Sequence, residues 1–261
     1  MRVLVFGAGF LAAALGLWVL NLFRVLTPDV KLDQEELFGL VTFPYDDWAA
    51  VLTRFVDAEG RVDYAALHAD PVTLERFVAL LGVVGPNTYA DLFRTDAERL
   101  AYYLNAYNAL VLYDVLDHWP LRSPHDIKLR FFYTTRFLID GRKANLYELE
   151  NHVIREKFDE PRVHFALNCA SIACPRLPRE PFLPARLEEQ LEHATVDFLS
   201  AERNVAVEDG ALVLSELFDW YAEDFAPDPA RWIHAHASDR VLPVGAPVRH
   251  RPWDWTLNGR P

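Results

Sequence analysis

Cysteine is scarce in this 261-residue chain, which has only Cys169 and Cys174. Thiol, disulfide or metal–sulfur chemistry would therefore have to come from one short segment. Lysine is nearly as scarce, at Lys31, Lys128, Lys143 and Lys157, and no basic run occurs. With a formal net charge of −12 the chain repels nucleic acid, and no nucleic-acid partner is expected. Low-complexity sequence, internal repeats and Gly/Ser linkers are missing as well. That argues against disorder and against a split of the soluble part. What is present suffices for a core, since 51% of residues are hydrophobic and 13% aromatic. Seventeen prolines and seven tryptophans speak against a simple helical bundle.

The one long uncharged run is N-terminal. Val3 to Phe23 gives 21 consecutive residues without charge, between Arg2 and Arg24. That is enough to cross the ~30 Å hydrocarbon core as a helix. A secretory leader has a shorter apolar stretch, roughly 7–15 residues, before a small-residue cleavage site. Ala14-Leu15-Gly16 imitates such a site, but the run continues past it through Leu17-Trp18-Val19-Leu20. Gly7, Gly9 and Gly16 disfavour the alternative of a core helix in water. The expectation is an uncleaved signal anchor over residues 1–26, a polar juxtamembrane linker over 27–44 and a soluble domain over 45–261. The membrane is then a partner through the N-terminal helix. Such an anchor usually leaves the large domain outside the cytoplasm, in the periplasm of a bacterium, although the flanking arginines do not fix orientation.

Within the soluble part, Asp46 to Val56 and Pro71 to Leu81 have helical spacing. Gly60 to Tyr64 is a turn into an extended segment. The strongest helix runs from Ala97 to His118, with Thr95 and Glu98 as a capping box and Pro120 closing it. Phe131 to Tyr133 and Phe137 to Ile139 read as strands, with Asp140-Gly141 as a hairpin turn. Asn145 and Glu148 cap a helix to about Phe158. Val163 to Leu167 reads as a strand running into the cysteine segment. Pro184 to Leu199 is an amphipathic helix, and Val205–Val207 and Ala211–Leu214 flank a second hairpin turn at Asp209-Gly210. Ser215 is placed to cap a further helix. The fold class is α+β: a single compact domain of several helices around a small sheet with hairpins.

Candidate functional residues fall in three segments. Asn105 and Asn108 lie one turn apart on the long helix. A buried amide there must satisfy both its carbonyl and its NH₂, either as a structural bracket, the favoured reading, or by orienting a catalytic group. Glu150 falls at helical spacing among Leu146, Leu149, Val153 and Lys157, so its carboxylate needs a partner, such as a buried arginine, or a raised pKa. His152 points elsewhere and is discounted.

For the cysteines three readings compete: a Cys169–Cys174 disulfide, a nucleophilic Cys169 thiolate and, ranked last, a zinc site. The nucleophile reading invokes backbone N–H groups of the small-residue turn near a developing oxyanion. On an extended strand His164 would sit roughly 16 Å from Cys169, so a Cys–His pair requires the loop to fold back. No metal and no cofactor are expected.

Five motifs occur in order: Gly60-Arg-Val-Asp-Tyr64, Tyr103-Leu-Asn-Ala-Tyr-Asn-Ala-Leu110, Leu149-Glu-Asn-His-Val-Ile-Arg155, His164-Phe-Ala-Leu-Asn-Cys-Ala-Ser171 with Ala173-Cys-Pro175, and Trp253-Asp-Trp-Thr-Leu-Asn258. Together they resemble the domain-of-unknown-function family 547 over about residues 45–261. Ala170 stands where that family commonly has glycine, and Ala173 where it has serine. The resemblance implies little mechanism, but it directs attention to Asn105, Asn108, Glu150, Arg155, His164, Cys169, Ser171 and Cys174. Relatives outside secretory settings tilt the cysteines from disulfide toward a functional thiol. The resulting expectation is a thiol-dependent acyl-transfer or hydrolytic enzyme. Cys169 would be nucleophile, His164 base, Glu150 or Asn105 orienting groups, and Asn108, Arg155, Ser171 and Cys174 substrate-binding residues. The competing expectation is a non-catalytic envelope binding or scaffolding module with oxidised cysteines and with a Glu150–Arg155 pair and the asparagines as scaffolding.

Overall fold

The computed structural model describes residues 24–237, 242 and 245–260. The expected membrane anchor over Val3 to Phe23 lies outside them. Among the described residues, no helix is long and apolar enough to cross a membrane.

The architecture is mixed α+β. A two-residue strand β1 (Val25–Leu26) and helix α1 (Gln34–Phe38) lead into helices α2 (Asp46–Phe55), α3 (Tyr64–Ala69), α4 (Val72–Val83) and α5 (Asp96–Asp117). Strands β2 (Arg136–Ile139) and β3 (Arg142–Ala144) precede helix α6, residues 146–158. Helix α7 (Leu187–Ser200), strands β4 (Val205–Glu208) and β5 (Ala211–Ser215), helices α8 (Leu217–Trp220) and α9 (Pro229–His236) and strand β6 (Val248–Arg251) follow. The first sheet has the order β1-β2-β3 and the second β4-β5-β6, each with one parallel and one antiparallel pairing.

Helix α5 is the centre of the larger of two hydrophobic clusters, and every residue from Leu100 to Leu116 is buried. A helix apolar nearly all round has no solvent face to present, so neighbouring elements must cover it. Thr95 accepts from the Glu98 N–H and Glu98 reaches back to the Thr95 N–H, which completes the expected capping box. The smaller cluster gathers Phe165, Phe198, Val205, Leu214, Phe218, Phe225 and Trp253 around β5. Both hairpins form at the expected Asp-Gly pairs, with φ of 52° and 71° at Asp140-Gly141 and 50° and 75° at Asp209-Gly210. Positive φ at both turn positions matches the strand twist, and aspartate followed by glycine tolerates it.

Several local expectations are overturned. Phe131 to Tyr133 is part of a π-helical turn, Leu129–Thr134, with Phe131 buried under the main core. Val163 to Leu167 is no strand, because Pro161–Phe165 forms a 3₁₀-helix with the proline in its first turn and Glu160 accepting from the Arg162 N–H. Helix α6 starts with the expected Asn145–Glu148 capping box, but its middle, Leu149–Arg155, is wound as a π-helix. The expected turn at Gly60 leads into an extended stretch in which Val62 bridges to Val56 and Gly259, but it is short, since Asp63 caps a helix over residues 64–69 through the Ala66 N–H. Residues 27–44 include helix α1, and Phe43 reaches the main core.

Thr95→Ala removes the hydroxyl that accepts from the Glu98 N–H on an exposed helix start and leaves only the backbone half of the capping box. We expect it to lower unfolding stability in urea by about 1 kcal/mol. An unchanged midpoint would mean that core burial alone holds the helix in place.

Candidate functional site

Where the two hydrophobic clusters meet, a cleft of about 390 Å³ opens. Its wall includes Tyr107 from α5, Glu150 and Arg155 from α6, His164, Cys169 and Cys174 from the cysteine segment, Trp220 and Tyr221 after β5, and Trp253 and Trp255 from the C-terminal segment. Segments distant in sequence therefore converge on one concavity.

The π winding of α6 explains how one helix delivers both Glu150 and Arg155. Residues five apart lie about 140° apart around an α-helix, but a π-helix bonds i to i+5 and brings them close to one face. Glu150 is therefore half-buried at the cleft wall rather than inside an apolar stripe. Its carboxylate accepts from the Tyr107 hydroxyl at 3.1 Å and from the Tyr221 hydroxyl. Burial first, and the adjacent carboxylate second, push the pKa of both tyrosines well above the ordinary value, so both stay protonated donors. The arginine partner envisaged for Glu150 is directed elsewhere, because Arg155 pairs with Asp224 at 2.8 Å and Glu223 at 3.0 Å.

His164 is buried, and its Nε2 lies 2.6 Å from Asp224 Oδ2. Burial alone would raise the Asp224 pKa. The hydrogen bonds from His164 and Arg155 outweigh it and hold the carboxyl far below the usual range. An ionised carboxylate only accepts, so the proton of this bond sits on Nε2, which leaves Nδ1 with the lone pair in neutral imidazole. Tyr221 stacks on the ring with centroids 4.0 Å apart, and the Arg155 guanidinium lies 4.7 Å over Tyr221. The 3₁₀ turn replaces the extended strand, so the roughly 16 Å separation no longer applies. His164 and Cys169 line the same cleft.

Cys169 and Cys174 are joined as a disulfide, with Cα atoms 6.2 Å apart, and among the described residues no cysteine is free. The turn between them is held from several sides. Asn108 donates to the Ala166 carbonyl and accepts from the Asn168 N–H, both at 2.9 Å. Asn168 donates to the Pro175 carbonyl, and its own carbonyl accepts from the Ala170 N–H and from Asn258. Trp253 Nε1 donates to Ser171 Oγ at 2.7 Å, and the Ile172 N–H donates to the Thr256 carbonyl. Gly60 (φ 76°) lies against Leu177, where an added Cβ would come within 2.8 Å of that residue's nitrogen, so the first motif also abuts this segment. Ala170 sits at φ 62°, a left-handed conformation that favours glycine over any residue with a side chain.

Of the residues singled out from sequence, Glu150, Arg155, His164, Cys169 and Cys174 meet at the cleft. Asn108 and Ser171 lie behind it as supports. Asn105 is placed away from it and is a structural bracket, with Oδ1 accepting from Trp48 and the Phe182 N–H and Nδ2 donating to the Ala101 and Phe182 carbonyls. The backbone amides offered as oxyanion donors are engaged too: the Cys169 N–H points at Cys174 Sγ and the Ala170 N–H at Asn168. Sequence reading missed Tyr107, Tyr221 and Asp224. Asp224 lies 60 residues from His164 in a short 3₁₀ turn and carries no local signal.

Acid titration tests the Asp224 pairing. Its folded pKa is below the unfolded value of ~3.9, so its contribution is full above about pH 4 and is lost as pH falls through the folded value. Asp224→Asn should remove that part of the acid slope in unfolding measured from pH 5 downward. An acid-unfolding profile identical to wild type would rule the pairing out as a source of stability.

No curated protein and no solved structure matches the chain. Residues 93–199, which carry α5, α6 and the cysteine turn, match the model of the family described as "Protein of unknown function, DUF547", the family that the motifs resemble.

Proposed function

We propose that the cleft is the active site of a cysteine-dependent acyl-transfer or hydrolytic enzyme whose working form is reduced. One observation carries this reading: the half-exposed Cys169 and a histidine oriented by a carboxylate share the wall of a single cleft. A nucleophile, a base and a group that fixes the base's tautomer are the three parts that thiol catalysis needs. Cys169 is assigned as nucleophile, His164 as base through Nδ1 and Asp224 as the group holding Nε2. Glu150, fixed by two tyrosine hydroxyls, is assigned to substrate contact beside them. In the bridged state Cys169 has no proton to lose and the site is masked.

A second reading, a non-catalytic envelope binding module, draws support from the same bridge and from the aromatic wall. There Trp220 and Trp255 stack 5.8 Å apart and Lys128 lies 5.4 Å over Trp255. In either case the uncharged run of residues 3–23 supports an N-terminal membrane anchor with the domain outside the cytoplasm.

Thiol alkylation across pH on reduced protein separates the two. Cys169 is expected to titrate well below the free-thiol value of ~8.5, and His164→Ala should return it toward that value. An activated ester should leave one acyl group on Cys169 in reduced protein and none in oxidised protein or in Cys169→Ser. A Cys169 that titrates near ~8.5 and takes no acyl group would favour the binding module.

A further inference from the structure

The two sulfurs of the disulfide differ in the features that decide which one is attacked and which one leaves. Cys169 is half-buried in the cleft wall, whereas Cys174 is 3% exposed. The backbone N–H of Cys169 donates to Cys174 Sγ at 2.9 Å. Ser171 Oγ lies 3.2 Å from the same sulfur and 3.5 Å from Cys169 Sγ. That hydroxyl oxygen already accepts from Trp253 Nε1. Neither sulfur of a disulfide carries hydrogen, so the Ser171 proton is the one donated, and Cys174 is the nearer acceptor. Two donors directed at one buried sulfur favour negative charge there. In thiol–disulfide exchange the charge develops on the leaving sulfur, and a leaving thiol of lower pKa leaves faster.

We propose that Cys169–Cys174 is an exchange-active disulfide, attacked at Cys169 from the cleft by a dithiol donor, with Cys174 as the leaving sulfur. The donor thiolate forms a bond to Cys169 Sγ as the Cys169–Cys174 bond breaks, and that bond's electron pair goes to Cys174. The donor's second thiol, once deprotonated, attacks the donor sulfur of the mixed disulfide and releases Cys169 as a thiolate. Both electrons come from the donor, which ends as a disulfide, and protons from water complete the two thiols. Run in reverse, the reduced pair reduces a disulfide. The exchange stands without acyl transfer. Only its consequence, the release of a nucleophilic Cys169, rests on the function proposed above.

The test treats the folded full chain with dithiothreitol as the dithiol, then quenches with acid, alkylates and maps the cysteines by mass spectrometry. The bridge is expected to open without denaturant. Limiting reduced glutathione is expected to place a transient adduct on Cys169, trapped by the quench. Cys174→Ser loaded with oxidised glutathione, which releases one reduced glutathione, should hold on Cys169 the adduct that Cys174 resolves in the wild type. Ser171→Ala should slow reduction about tenfold, the effect of losing one hydrogen bond to a developing thiolate. Trp253→Phe, which leaves the serine in place, should slow it less. A bridge that opens only on unfolding, an adduct on Cys174, or a folded Ser171→Ala protein reduced at the wild-type rate overturns the proposal, whatever the acyl assay reads. Normal exchange in a reduced protein that takes no acyl group overturns the acyl reading alone.

Discussion

Helix α5 is buried along its whole middle, yet it carries asparagines and tyrosines whose polar atoms cannot be left unpaired. A buried donor or acceptor without a partner is penalised by about 1–3 kcal/mol, so each of these atoms has to recruit another segment. Tyr102 reaches the Leu81 carbonyl, Tyr103 reaches Asp140, Asn105 fastens Phe182, Tyr107 holds Glu150 and Asn108 holds the turn before Cys169. Read along the helix, these bonds fix α4, the first hairpin, the segment before α7, α6 and the cysteine turn. The cleft is thus assembled by a helix that contributes little of its own surface to it.

A second level of support comes from the amides around the turn. Asn108, Asn168 and Asn258 pass hydrogen bonds between the long helix, the cysteine segment and the C-terminal segment, and Tyr64 closes the set by donating to Asn258. Amides suit this role because each offers both donors and an acceptor in one plane. They fix geometry without adding charge, which leaves the ionised groups of the cleft to pair among themselves. Arg155 and Asp224 do so, His164 bonds the same carboxylate through Nε2, and Tyr221 joins that line to Glu150 by stacking on one side and hydrogen bonding on the other.

What was legible in the sequence is what short-range chemistry decides. Thr95 and Glu98, Asn145 and Glu148, and the two Asp-Gly turns act within four residues, and all formed where expected. The segment around His164 misled because Val163, His164 and Phe165 carry strand propensity, while the proline ahead of them and the packing of Phe165 on Phe198 and Phe225 impose a tight helix. The π turns were illegible for a related reason: nothing in the order of residues 149–155 distinguishes i→i+5 bonding from i→i+4. With α-helical winding, residue spacing places Glu150 in an apolar stripe and offers Arg155 as its partner, whereas the π turn gives Glu150 two tyrosine hydroxyls and Arg155 two carboxylates. Asp224 had no signal at all, since its meaning depends on a histidine far away in the chain.

The clamp on the cysteine turn comes late in the chain. Trp253 meets Ser171 across 82 residues, and Asn258 meets Asn168 across 90. At about 5–20 residues per second, synthesis leaves the two thiols uncovered for roughly 4–16 s before the tryptophan that backs Ser171 is made. The direction of translation therefore opens an interval in which the cysteines meet the redox milieu without their covering segment, and a nascent chain samples their chemistry before the folded protein does.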